Sequence, residues 1–155
     1  MPTLKVGNPA PSFRALDSNG VEVGLDDFVG KTIVLYFYPK DNTPGCTIEA
    51  QDFTALLSSF EALGCVVIGI SPDNQNSHQK FINQKSLKHI LLCDEDRHIA
   101  TAYGAYGEKM MYGKKVLGII RSTFIIDSNG KIAKTYYNIR AKDHAQKVLD
   151  DLQSL

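Results

Sequence analysis

The chain has 155 residues and a mass of 17.1 kDa, enough for one domain with a sizeable core, and its 43% hydrophobic and 22% charged content is that of an ordinary soluble globular protein. Seventeen Lys and Arg balance seventeen Asp and Glu, which argues against a nucleic-acid or membrane-surface partner, and no apolar run approaches the roughly 20 residues of a membrane span. Met1-Pro2-Thr3-Leu4-Lys5 lacks the apolar core of a signal peptide, and three cysteines without paired spacing do not make a secreted disulfide scaffold, so a reducing, cytoplasmic setting is expected.

Residues 7–13 carry two prolines and read as an extended opening segment. Asp17-Ser18-Asn19-Gly20 separates two short alternating runs and predicts an N-terminal β-hairpin; Leu25 to Gly30 predicts a weak helical turn. Thr32 to Phe37 is apolar, β-branched and aromatic, the pattern of a buried parallel strand. Phe53, Leu56, Leu57, Phe60 and Leu63 recur at helical spacing and predict one long amphipathic helix stopped at Gly64. Val66 to Ile70 is a second buried strand, closed by Ser71-Pro72-Asp73. A polar helix follows to about Leu87, anchored by Phe81 and Ile82, and Ile90-Leu91-Leu92 is a third, short strand. Glu95 to Tyr103 predicts a helix with Ile99, Ala100 and Tyr103 inward, and Tyr106 to Lys115 breaks into a loop containing Gly, Lys and Met. Val116–Ile126 and Ile132–Tyr137 predict two strands around Asp127-Ser128-Asn129-Gly130, and Ala141 to Leu155 a final amphipathic helix. Strand–helix–strand units closed by a hairpin and a helix imply an α/β chain of one domain, a mixed sheet flanked by helices.

The chemistry concentrates between the first buried strand and the helix after it, in Tyr38-Pro39-Lys40-Asp41-Asn42-Thr43-Pro44-Gly45-Cys46. A strand that ends in a stiff turn and re-emerges as a helix exposes its junction at the carboxyl edge of the sheet, where open α/β folds place their sites. Pro39 and Pro44 fix the backbone there. Cys46 falls in the first helical turn, facing free amides and the positive end of the helix dipole, which favour thiolate over thiol. Thr43, three residues earlier, can reach the sulfur or an oxygen bound beside it, and Glu49, three residues later, opposes a thiolate unless a cation is also present. The alternative is a proline-capped helix start with an incidental buried cysteine.

These residues carry a resemblance. Pro39, Thr43 and Cys46 reproduce the Pro-x-x-x-Thr-x-x-Cys signature of the peroxiredoxins, and the run Tyr38 to Ala50 closely resembles the bacterioferritin-comigratory, or Q-type, branch. The likeness extends along nearly the whole chain, through residues 7–13, 69–73, 91–96 and 121–127. It implies a thioredoxin-like fold with an added N-terminal hairpin, and a peroxidase acting on hydrogen peroxide and organic hydroperoxides without metal or organic cofactor. It also implies thioredoxin or another thiol as reductant and, from this branch, a monomer.

Arg121 sits in a mostly apolar run, where a guanidinium needs a partner or snorkels to solvent. The resemblance assigns it to the peroxidatic site, offsetting Glu49 and binding peroxide oxygens, with Cys46 passing through a sulfenic acid. The departure from the family is in regeneration. Relatives place a resolving cysteine five residues after the peroxidatic one, here Gln51, or in the next helix near Gln84-Lys85-Ser86, and neither region holds one. Cys65 and Cys93 read as structural thiols in strands. A one-cysteine cycle with an external thiol is therefore expected, and an atypical two-cysteine cycle through Cys93 is its competitor. His78, His89, His98 and His144 form no His-x-x-x-His pair; His89 and Cys93 have a spacing that would suit a metal on a helix, but their segment reads as a strand, so the histidines read as surface or loop residues. Lys109, Lys114 and Lys115 read as a solvated loop face. Met110-Met111-Tyr112 could be a packed loop or a contact patch bordering the site, the sole hint of a redox-sensing or chaperone-like binding module.

Overall fold

In a computed structural model, residues 4–155 are described, so Met1, Pro2 and Thr3, on which the signal-peptide reading partly rests, lie outside it. The molecule is built on a five-stranded sheet of order β5-β4-β3-β8-β9. Its centre is β3 (Thr32–Phe37), parallel to β4 (Cys65–Ser71), which is parallel to β5 (Ile90–Cys93). On the other side β8 (Ser122–Ile126) runs antiparallel to β3, and β9 (Ile132–Tyr136) antiparallel to β8. This is the expected mixed sheet with helices on both faces. The period of two sorts the central strand: Val34 and Tyr36 join one core, Ile33, Leu35 and Phe37 the other. The first core is covered by α1 (Pro44–Ala55), α2 (Leu57–Ala62), α3 (Gln75–Lys85) and α5 (His144–Gln153), the second by α4 (His98–Ala102) and the opening segment.

The N-terminal hairpin is present as β1 (Arg14–Leu16) and β2 (Glu22–Gly24), followed by one 3-10 turn at Leu25–Phe28. Four expectations need correction. The single helix after Cys46 is two, because Leu56 leaves helical geometry at φ −98°, ψ 3°; Phe53 and Phe60 are buried, whereas Leu63 is exposed. The expected loop at 106–115 is the larger part of a hairpin, β6 (Tyr106–Met111) and β7 (Lys114–Ile119), closed by Tyr112 and Gly113 at φ 52° and 79°. Two consecutive left-handed residues are what a two-residue hairpin turn of matching twist requires. The expected strand 116–126 is consequently two strands in different sheets, and Arg121 lies at the break between them. The α4 helix is also shorter than expected: Arg97 is left-handed at φ 64°, and the Asp94 carboxylate accepts the Ile99 and Ala100 amides at the helix start.

Candidate active site

Beyond Phe37 the chain leaves the sheet at its carboxyl edge, reverses at Asn42 (φ 61°) and enters α1 with Pro44 as first helical residue, where its missing N–H costs nothing. The first backbone bond of that helix is Thr47 N–H to the Thr43 carbonyl, so the amides of Gly45 and Cys46 are left over at the helix start. Cys46 is 2% exposed, packed among Tyr36, Phe53 and Ala50. Thr43 makes no hydrogen bond to the sulfur: its hydroxyl donates to the Lys40 carbonyl at 2.7 Å. That bond occupies the hydroxyl proton and leaves the oxygen lone pairs to accept. Pro39 lies half-buried in the same loop, with a trans peptide bond.

Arg121 arrives from the opposite side. Its carbonyl accepts the Ile139 amide at 3.0 Å, fixing the backbone at the sheet break. Nη2 donates to Cys46 Sγ at 3.3 Å and Nη1 to Glu49 Oε1 at 2.6 Å. The guanidinium is therefore shared between the sulfur and a carboxylate one helical turn away, as the charge argument requires. Gly45 makes room for it, since a Cβ there would stand 3.2 Å from Nη2. Glu49 is fully buried, and its Oε2 is the one buried side-chain oxygen or nitrogen without a partner among the described residues. Burial pushes this carboxyl up to about 7, against the pull of Arg121, so it holds a proton for part of the time near neutrality. Lys109, expected as solvated, is half-buried and donates to the Ile119 carbonyl at 2.6 Å. Burial, followed by the charge of Arg121, pulls its ammonium down. It lines a cleft of about 460 Å³ beside Arg121 with Met110, Ile120 and Asn138. Met110, Met111 and Tyr112 themselves are exposed, Tyr112 almost completely.

Three of the four histidines are not surface residues. His78, His89 and His144 are buried, and only His98 is exposed. His89 bridges Tyr36 (2.6 Å) and Thr54 (3.0 Å), His144 pairs with Thr123 (2.8 Å), and His78 with Asp41 (2.8 Å). Each partner is 21 or more residues away in sequence, so no local pattern could reveal them. Cys65 is buried and Cys93 half-buried, both free thiols. Burial, then the nearby carboxylates led by Glu95, raises the Cys93 thiol to about 11. Cys93 ends β5, two strands from β3 and thus about 10 Å across the sheet from it.

The chain matches the AhpC/TSA family over residues 6–135. It is 61% identical to a Helicobacter pylori J99 protein named as a peroxiredoxin bcp, over 98% of this chain and all of that one. It is 42% identical to the peroxiredoxin Bcp of Bacillus subtilis 168, over 99% and 98% of the two chains. Among solved structures, the Xanthomonas campestris bacterioferritin comigratory protein superposes with a TM-score of 0.87 at 37% identity, covering 92% of this chain and 90% of that one. That protein was characterised for alkyl peroxide reduction.

Proposed function

The chain belongs to the AhpC/TSA family, as a peroxiredoxin of the Bcp and Q kind, and from that premise we propose that Cys46 is the thiol with which it reduces hydroperoxides. It is a thiol-dependent peroxidase. The observation that carries the assignment of Cys46 is the 3.3 Å contact from Arg121 Nη2 to its sulfur, made by a guanidinium that also holds buried Glu49. Pro39 acts by shaping the loop, Thr43 and Arg121 by touching substrate, and Glu49 by orienting Arg121.

In the reaction the Cys46 thiolate attacks the terminal oxygen of a hydroperoxide in line with the O–O bond. The S–O bond forms as the O–O bond breaks, leaving Cys46 as sulfenic acid and the departing oxygen as an alkoxide or hydroxide that takes a proton. The Thr43 hydroxyl, its own proton committed to Lys40, accepts from the peroxide O–H, and the Cys46 amide donates to a peroxide oxygen. Arg121 stabilises the charge that moves onto the departing oxygen. An external thiol, from thioredoxin or a small reductant, then attacks the sulfenic sulfur and expels water; a second thiol releases the mixed disulfide. A half-buried thiol raised to about 11 is a poor attacking group, which favours this one-cysteine cycle over one routed through Cys93. Residues 1–155 would work as one domain, as a monomer, in the reducing cytoplasm that three free thiols suit.

Mass spectrometry after a stoichiometric peroxide pulse tests this reading. Wild type should consume one peroxide and carry a dimedone-trappable sulfenic acid on Cys46, and Cys46→Ser should consume none. Undiminished consumption by Cys46→Ser would end the assignment. Cys65→Ser and Cys93→Ser should each keep turnover with an external thiol; a mapped Cys46–Cys93 disulfide, with turnover lost in Cys93→Ser, would replace the one-cysteine cycle.

A further inference from the structure

The loop that carries Thr43 and Cys46 is held from behind by a buried polar cluster that no step above uses. Asp41, 5% exposed, is its hub. Its amide donates to Asp73 Oδ2 at 2.8 Å, and Asp73 in turn accepts the Ser71 hydroxyl at 2.7 Å. Its carboxylate accepts the Tyr38 hydroxyl on Oδ1 at 2.7 Å and the Ser77 hydroxyl on Oδ2, also at 2.7 Å. The fourth partner is His78, 0% exposed on α3, whose Nδ1 stands 2.8 Å from Oδ2 and whose Nε2 stands 2.9 Å from the Leu92 carbonyl.

Both ring nitrogens of His78 are engaged. A carbonyl can only accept, so Nε2 carries a proton. The Nδ1···Oδ2 contact then needs a proton of its own, held by the ring nitrogen or by the carboxyl. The ring thus ties the Asp41 carboxyl on one side to the Leu92 carbonyl of β5 on the other. His78 is the one basic group within ion-pair distance of Asp41 among the described residues. The titratable groups around them are Asp73 from the turn before α3, Tyr38 from the loop, Tyr36 from β3 and Cys93 from β5, none of them cationic.

We propose that the Asp41–His78 couple is a positioning device for peroxide reduction: it sets the loop from Pro39 to Thr43, and with it the start of α1 and the aim of Cys46, against α3 and β5. The proposal rests on the peroxidase reading of Cys46. Asp41 lies two residues before Thr43 and five before Cys46, on the residue preceding the left-handed reversal at Asn42. With the couple broken, a buried carboxylate loses its one ionic partner and the loop loses its mooring to β5. The reaction needs the peroxide held in line between Thr43, the Cys46 amide and Arg121, and displacements well under 1 Å matter to such alignment.

The test separates alignment from access, using the Cys65→Ser/Cys93→Ser background so that one thiol reports. Two rates are measured for Cys46: oxidation by hydrogen peroxide in a single turnover, which needs the aligned site, and alkylation by iodoacetamide, which needs only an accessible thiolate. His78→Leu should slow oxidation by at least about tenfold, on the scale of one lost alignment contact, and alkylation by less than about threefold. Asparagine places its amide nitrogen where Nδ1 stood and glutamine where Nε2 stood, so His78→Asn should recover most of the oxidation rate and His78→Gln should not. If His78→Leu does not fold, the Asn and Gln variants decide alone. Oxidation at the wild-type rate in His78→Gln, or oxidation and alkylation falling in parallel, would overturn the proposal. Failure of the parent itself to react with peroxide would instead sink the peroxidase reading, so the two failures are distinct.

Discussion

Arg121 serves two acidic groups through two different nitrogens, and this division makes its charge the variable that a mutation should probe. Nη1 neutralises Glu49, which would otherwise oppose a thiolate one helical turn away, and Nη2 reaches the sulfur. Methionine keeps most of the side chain's length and packing but neither contact. Arg121→Met should slow peroxide oxidation of Cys46 by at least about tenfold, the scale of losing one aligned charge-assisted donor, while the far-ultraviolet spectrum stays unchanged. Peroxide kinetics indistinguishable from wild type would mean that the guanidinium does not act on the reacting oxygen. Cys46, Thr43 and Pro39 were legible because they sit on one short stretch with turn residues and a following helical stripe. The partnership of Glu49 with Arg121, 72 residues apart, needed the family's pattern. The Asp41–His78 couple had neither a local spacing nor an apolar context to announce it, and His78 read, with the other histidines, as a surface or loop residue.

The strands of the parallel half of the sheet read correctly because most of their residues are buried. Thr32–Phe37, Cys65–Ser71 and Ile90–Cys93 are apolar runs because both faces of the central sheet are covered, so their composition alone declares them. The β6–β7 hairpin escaped for the opposite reason: Glu108, Met110, Met111, Lys114, Lys115 and Leu117 are all exposed, and a ribbon wet on both faces shows no alternation. Its missed turn displaced the expected bounds of the next strand and hid that Arg121 stands at a sheet break. Packing between elements is tight where β3 meets β4. Gly69 pairs in register with Tyr36, and a Cβ at Gly69 would stand 2.7 Å from Tyr36 Cζ and 2.9 Å from Leu91 Cδ2. Tyr36 is held where it stands, because it is also stacked on Phe53, at 4.6 Å between centroids, and bonded to His89. Gly69→Ala should therefore cost about 1–3 kcal/mol, the usual scale of overpacking, seen as a lowered urea midpoint with an unchanged slope. An unchanged midpoint would show that the ring can shift freely.

At the scale of the whole molecule, two buried histidines, His89 and His144, push stability upward with pH. Burial pulls both His89 and His144 from 6.5 down to about 4, with the charge of Arg121 adding to the effect on His144. In the folded state both rings stay neutral where the unfolded chain would protonate them. At these two positions the unfolded state therefore binds more protons between about pH 4 and 6.5, and their contribution to stability rises with pH across that window. Each ring contributes roughly 3 kcal/mol that is fully present above 6.5 and lost as the pH falls towards 4. Glu49 works the other way: its carboxyl is raised from 4.5 to about 7, so its burial penalty is absent in acid and complete above 7. One carboxyl offsets about one imidazole, leaving a net loss on acidification. Equilibrium urea unfolding at pH 7 and pH 4.5 should show wild type less stable in acid by at least about 2 kcal/mol. His144→Gln keeps a polar side chain facing Thr123 but cannot titrate, and should flatten the profile. Glu49→Gln removes the opposing ionisation and should steepen it. A wild-type profile that is flat or falls with pH between those two values would mean that the imidazoles reach water, and with it protons, without unfolding.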